Sequence, residues 1–169
     1  LFGTPWAHIQ LDTESGEFME VENQYPTPES LYLLCDADHV YEVFKDDFGV
    51  QVYLAQQHAT DVNTSVLQVV ADALELPTDF SSREATSRTA LILLKTYGLR
   101  ASMNIVQKVK TFAQSEGKKL MIHLSFMAED VVDNCKGLPR FDQIFVDYLN
   151  KNNYLYVDSL QKHLEEFKS

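Results

Sequence analysis

The sequence predicts an α/β protein: a three-layer α/β/α domain with a parallel sheet, preceded by an N-terminal β-hairpin. Three observations predict it. Leu120, Met121, Ile122 and Leu124 form a short apolar run after Gly117-Lys118-Lys119. Tyr154-Leu155-Tyr156-Val157 forms another, with an amphipathic segment between the two and a helical pattern opened by Asp158 behind it. Two short strands joined through a helix describe a parallel βαβ unit, with 119–124 beside 154–157 and helix 141–149 as the right-handed crossover. Finally, Trp6, His8 and Gln10 alternate with Ala7, Ile9 and Leu11 ahead of a turn, which is the period of a strand with one solvated side.

Taken in order, residues 1–25 read as the hairpin. Asp12-Thr13-Glu14-Ser15-Gly16 supplies the turn, and Phe18, Met19 and Val21 return among glutamates. A hairpin alone is marginal, so this one needs a surface to pack on. Tyr25-Pro26-Thr27-Pro28 ends it, with Thr27 as N-cap and Pro28 at the first helical position. Leu31, Leu34 and Cys35 form the apolar stripe of that helix. Asp36 caps a second short helix, with Val40, Val43 and Phe44 inward. Val50 to Ala55 alternates as a strand does, yet the same residues also suit the start of the next helix. That helix carries Val62, Val66, Val69, Val70 and Ala73, with Pro77 beyond its end. Ser81 and Glu84 form a capping box for a helix with Ala85, Thr89, Ile92, Leu93 and Tyr97 on its stripe and Gly98 as its stop. Ser102, Ile105, Val106, Val109, Phe112 and Ala113 mark the next, ended by Gly117. Phe141, Ile144, Phe145, Tyr148 and Leu149 mark another, and Leu160, Leu164 and Phe167 the last. Phe112, Ile122, Leu124, Phe145, Leu149 and Val157 are the expected C-terminal core. With no repeat and no linker, the chain reads as one domain over 1–169, with 1–25 as a hairpin appendage. Residue 1 is Leu, so the chain is read as an internal portion of a longer one.

Charge is unevenly spread. Up to Phe80 there are 15 acidic residues and one basic residue, Lys45, for a net charge of −14; the remainder carries +3, giving −11 over 169 residues. No stripe of Lys and Arg with interleaved aromatics follows, which argues against a nucleic-acid partner. No apolar run approaches the roughly 20 residues that span a bilayer. The acidic half reads as a source of solubility or as a contact surface for a basic protein partner. Cys35 and Cys135 either pair in an oxidising compartment or sit as small buried residues, the commoner outcome for two cysteines.

The chemistry-bearing residues form no complete constellation. His123 lies within the first apolar run and reads as a hydrogen-bonded sheet residue. His58 and Asp61 are three apart, but Asp61 at a helix start is more simply an N-cap. His8, His39 and His163 share no metal-ligand spacing with one another or with a cysteine. Asp36-Ala37-Asp38 and Asp46-Asp47 lack the alternation, central glycine and closing glutamate of a calcium loop, and no glycine array for phosphate is present. No metal or cofactor is therefore expected. Ser125 follows a strand without a nucleophile-elbow motif. Asp158-Ser159-Leu160 follows the second, with His163 four residues from Ser159 as the nearby histidine.

Three stretches together carry a family resemblance. These are Phe112-Ala113-Gln114-Ser115-Glu116-Gly117 leading into Lys118–Ser125, Phe141–Leu149 as a helix, and Tyr154-Leu155-Tyr156-Val157-Asp158 as the last strand. Residues 99–167 resemble the closing half of the SGNH/GDSL-type hydrolases, flavodoxin-like esterases and acetylhydrolases. The resemblance implies a flavodoxin-like three-layer fold and hydrolysis of ester or acetyl groups of a small molecule or carbohydrate. It also places the serine nucleophile upstream of this chain and the catalytic Asp-x-x-His beyond Ser169, so the catalytic residues stay unassigned within the chain. Val157 stands where the family's motif has glycine before Asp-Ser-Leu, and no Gly-x-Asn-Asp block is present. The alternative is a non-catalytic interaction module that uses the acidic N-terminal half as its contact surface.

Overall fold

The computed structural model describes residues 8–168. Trp6 and Ala7 of the expected hairpin lie outside the described residues, as does the side chain of Phe167. The chain packs as two compact units, Leu1–Ala101 and Ser102–Ser169.

In the N-terminal unit β1 (His8–Leu11) pairs antiparallel with β2 (Phe18–Val21), Leu11 lying opposite Phe18. Gly16 makes the turn with φ +73°, and its N–H donates to the Asp12 carbonyl at 2.8 Å. The Ser15 hydroxyl donates to the Asp12 carboxylate at 2.6 Å and holds it below the usual carboxylate range. After the hairpin come α1 (Pro28–Leu31), a 3-10 turn (Tyr32–Cys35), α2 (Ala37–Phe44), α3 (Phe48–Gln56), α4 (Thr64–Ala73) and α5 (Arg83–Ser115). Thr27 and Asp36 cap α1 and α2 as expected, each side chain accepting backbone N–H bonds. Leu11, Val52, Leu67, Val70, Leu74 and Leu93 form the centre of the core. Burial of these side chains, at about 25 cal/mol per Å² of apolar surface, is what holds the helices together.

Several local expectations change here. Val50 to Ala55 is helical, not a strand, because Asp47 accepts the Val50 N–H at 3.0 Å and starts α3 ahead of it. Buried Gln51 then ties the new helix down: its amide donates to the Lys45 carbonyl at 2.6 Å and accepts the Asn63 N–H at 2.6 Å. Asp61 does not cap α4; Asn63 does, accepting the Ser65 N–H at 3.2 Å. At the start of α5 the cap falls one residue later than expected, with Ser82 Oγ accepting the Ala85 N–H at 3.1 Å. Asp79 instead accepts both the N–H and the hydroxyl of Ser81, which lowers its pKa. Nor does Gly98 stop the helix: α5 runs through it to Ser115, because good helix formers on both sides outweigh one glycine's cost of about 1 kcal/mol. The inward stripe expected on 31–44 forms only in part, with Leu31, Val40 and Phe44 half-buried. Leu34, Cys35 and Val43 are exposed, and no residue of α2 is buried.

In the C-terminal unit β3 (Ile122–Leu124) and β4 (Tyr156–Asp158) are parallel neighbours, with Ile122 opposite Tyr156. That pairing is the one the sequence predicts, but the three-layer flavodoxin-like sheet is not there. The described residues hold a two-stranded hairpin sheet and a separate two-stranded parallel sheet, and are otherwise mostly helical. Among the described residues of this unit only β3 and β4 are strands, so its sheet stops at two. Between the strands lie α6 (Ala128–Cys135) and α7 (Gln143–Lys151); α8 (Leu160–Lys168) follows β4. Gly117, at φ +64°, ends α5 as expected. Leu124, Val131, Phe145, Val146, Leu149 and Leu160 are buried. Phe112 and Val157, expected in this core, are 63% and 48% exposed. Ala113 takes the inward place on α5, one residue or about 100° around the helix from Phe112. Val157 points to the opposite face of its strand from Tyr156. Burial pushes the Tyr154 phenol up to about 12, while the Lys110 ammonium lies 4.2 Å from the centre of its ring.

Phe145→Ala is expected to cost about 3–5 kcal/mol in chemical denaturation, and Phe112→Ala less than about 1 kcal/mol. Equal losses would show that the α5 face had been misassigned. Gly98→Ala adds a Cβ with open space around it and is expected to stabilise the chain by about 0.5–1 kcal/mol, read as a rise in Tm.

Candidate functional site

An open groove of about 920 Å³ lies within the N-terminal unit. Ile9 of β1, Val43 at the end of α2, Phe48 at the start of α3, Val69 of α4 and Tyr97 of α5 form its apolar walls. The hairpin can stand as a wall because it is anchored: the Leu11 N–H donates to Tyr97 Oη at 3.1 Å, and Phe18 meets the Tyr97 ring edge-on at 5.1 Å. Lys and Arg are absent from the groove's described lining, whereas two carboxylates, Asp46 and Asp47, are present. Both are fixed from below. Asp46 accepts the Asn63 amide at 2.9 Å, and Asp47 caps α3. His8 lies on this lining as well, and His39 is held nearby on α2 by the Tyr25 hydroxyl at 3.0 Å. Over its whole length this unit carries 16 acidic and 5 basic residues, a net −11, while the C-terminal unit has 9 of each and is neutral. The charge of the molecule therefore belongs to the unit with the groove.

The C-terminal unit gathers a second set of polar residues at the carboxyl end of its strands. Arg140 donates from Nε and Nη2 to both oxygens of Asp142 at 2.7 and 3.0 Å, and from Nη1 to Asp158 at 2.7 Å. Asp142 is 5% exposed, and this bidentate contact is the main reason the guanidinium is pushed above its ordinary pKa. Phe126 lies against its face at 5.4 Å. Asp158 spends its other oxygen on the Leu160 N–H at 3.0 Å, opening α8. These three residues are a structural clamp.

Ser159 follows directly, and its partner is not the histidine that the spacing suggests. His123 Nε2 lies 2.6 Å from Ser159 Oγ, while His163 faces Glu166 at 3.7 Å. The parallel register explains this. His123 stands opposite Val157, so Ser159, two residues on, shares its side of the sheet. Strand register was the signal that could have found the pair, whereas helix spacing pointed to His163.

The pair lacks the other parts of a hydrolytic site. Ser159 Oγ also bonds the Leu124 carbonyl at 2.9 Å, and while its one proton is committed there His123 Nε2 can only donate to it. The Ser159 and Leu160 N–H groups, the natural oxyanion donors, are spent on Leu124 O and Asp158. Among the described residues no carboxylate bonds the other nitrogen of His123.

The remaining sequence candidates do not assemble. Ser125 is exposed at the end of β3, and no hydrogen bond or ion pair joins His58 to Asp61 among the described residues. His58 ends α3 in the left-handed region at φ +53°. Both cysteines are free, and Cys35 is exposed rather than buried. Among the described residues no three His, Cys, Asp or Glu groups cluster to hold a metal, and no helix is long and apolar enough to cross a membrane. No family model matches the sequence, and neither a curated protein nor a solved structure is significantly similar to it.

Treatment with a fluorophosphonate probe is expected to leave Ser159 and Ser125 unlabelled, and Ser159→Ala to leave background turnover of short acyl esters unchanged. Labelling that vanishes in the alanine variant would make the His123–Ser159 pair a working dyad.

Proposed function

We propose that the chain is a binding module whose acidic N-terminal unit seats a basic, apolar segment of a protein partner. The observation that carries this reading is the groove, whose described lining is largely apolar and bears charge of one sign only. Apolar side chains of the partner would fill the space between Ile9, Val69 and Tyr97. Its lysines or arginines would meet Asp46 and Asp47, each of which commits one oxygen to the fold. The volume lies within the roughly 300–1,000 Å³ of ordinary ligand pockets, enough for two or three large side chains. A net −11 on this unit would speed encounter with a cationic partner and make the rate fall with salt.

A second reading, a portion of an ester or acetyl hydrolase acting on a small molecule or carbohydrate, is favoured by the His123–Ser159 contact. It requires a base, an oxyanion site and an orienting carboxylate supplied from outside this chain.

A fluorescent Lys/Leu amphipathic peptide is expected to bind the full chain with an affinity that drops as salt rises, and an all-Glu counterpart is expected not to reach the groove. Val69→Lys, at an exposed position in the wall, is expected to weaken the Lys/Leu peptide at least about tenfold, or about 1.4 kcal/mol. Asp46→Lys should weaken it and flatten the salt dependence. Unchanged binding in both variants would refute the groove as the site.

A further inference from the structure

Parallel sheets are ordinarily covered on both faces, because their crossovers lay helices there. The β3–β4 sheet breaks this rule. Its inner face carries Leu124, which is buried, and Ile122, which is half-buried. Its other face carries His123 and Val157 within the strands, and by alternation Met121 and Leu155 just before them. All four are exposed, Met121 to 60% and Leu155 to 61%. Three large apolar side chains on one small sheet face are thus in water.

The surface has a definite size and charge. Two strands about 4.8 Å apart, with their side chains, make a strip about as wide as one helix of roughly 10 Å. Lys118 and Lys119 lead into β3, and Lys151 closes α7 shortly before β4. Because the strands are parallel, all three lysines sit at the same, amino-terminal end of the strip. Against them stands Glu116, while Asp147, a turn back on α7, is bonded by Gln143 at 2.8 Å. The His123–Ser159 pair lies on the same face toward its other end and adds a polar anchor.

We propose that this open face of the β3–β4 sheet is a second docking surface, and that its occupant is an acidic amphipathic helix of a partner protein. The helix would supply the missing cover, with its apolar stripe on Met121, Leu155 and Val157 and its carboxylates toward Lys118, Lys119 and Lys151. This surface is separate from the groove and of opposite charge, so the chain would join a basic segment at one unit and an acidic helix at the other.

The test is a titration of the full chain, by anisotropy and by amide NMR shifts, with a designed helix of about 18 residues carrying a leucine stripe flanked by glutamates. The expected result is binding, with shifts concentrated at Met121, His123, Leu155 and Val157. Leu155→Asp with Val157→Asp should weaken it at least about tenfold, and Lys118→Glu with Lys119→Glu several-fold, with thermal unfolding unchanged because all four positions are exposed. The same helix with lysines for glutamates should shift the groove residues instead. No shift at Leu155 and Val157 at saturating peptide would overturn the proposal, and so would equal shifts there by the lysine version. Two other outcomes also overturn it by naming a different occupant. These are a concentration-dependent dimer in sedimentation that Leu155→Asp and Val157→Asp abolish, and co-sedimentation with phosphatidylserine vesicles lost in the same variant.

Discussion

Packing of Tyr97 against the hairpin is the contact on which the N-terminal unit depends. The ring lies between Phe18, edge-on at 5.1 Å, and Phe48, stacked at 5.2 Å, while its oxygen accepts the Leu11 N–H. Four-residue strands that pair only with each other cannot hold themselves flat in water. They need apolar surface on one side and a fixed distance from it, and one amphipathic side chain of α5 meets both needs. The aromatic contacts bring the burial, and the hydrogen bond sets the register of hairpin on helix. The same side chain also forms part of the groove wall, so the element that secures the fold shapes the recess.

Much of the fold was legible because local rules and tertiary structure agreed. Thr27 and Asp36 at the caps, Gly16 in the turn, Gly117 at the helix end and the parallel register of 122–124 with 156–158 follow from side-chain chemistry acting over a few residues. What was illegible required knowing how many partners each element has. Val50 to Ala55 alternates, but a strand needs a neighbour, and Asp47 supplied a helix start first. Gly98 has the residue type of a stop, yet it keeps helical geometry because Leu99 to Met103 continue the pattern. The three-layer sheet failed for the same reason: one genuine βαβ pair was extended to a family's full architecture, and the described residues hold no further strand that joins it.

The partition of charge has consequences that the total hides. A chain with −11 spread evenly would simply be soluble. Here the whole excess sits on one unit and the other is neutral. Beyond the Debye length, about 8 Å at physiological ionic strength, neither unit exerts much field, so selection of a partner falls to the carboxylates and lysines at each surface. The same net charge keeps copies of the chain apart at lower salt, which guards the exposed apolar residues of α2 and of the β3–β4 sheet against self-association.

The His123–Ser159 contact illustrates how proximity and chemistry differ. A 2.6 Å separation is what a nucleophile and its base would show, but direction decides the role. With the serine proton donated to the Leu124 carbonyl, the imidazole is left to donate to one of the oxygen's lone pairs. Activating this serine would require breaking a bond to the backbone that also fixes the start of α8, where Ser159 N–H donates to the same carbonyl at 3.2 Å. Two bonds from one residue to one strand are the mark of a splice between β3 and α8. The histidine covers that splice on the open side, and its ring thereby becomes part of the surface that a partner would meet.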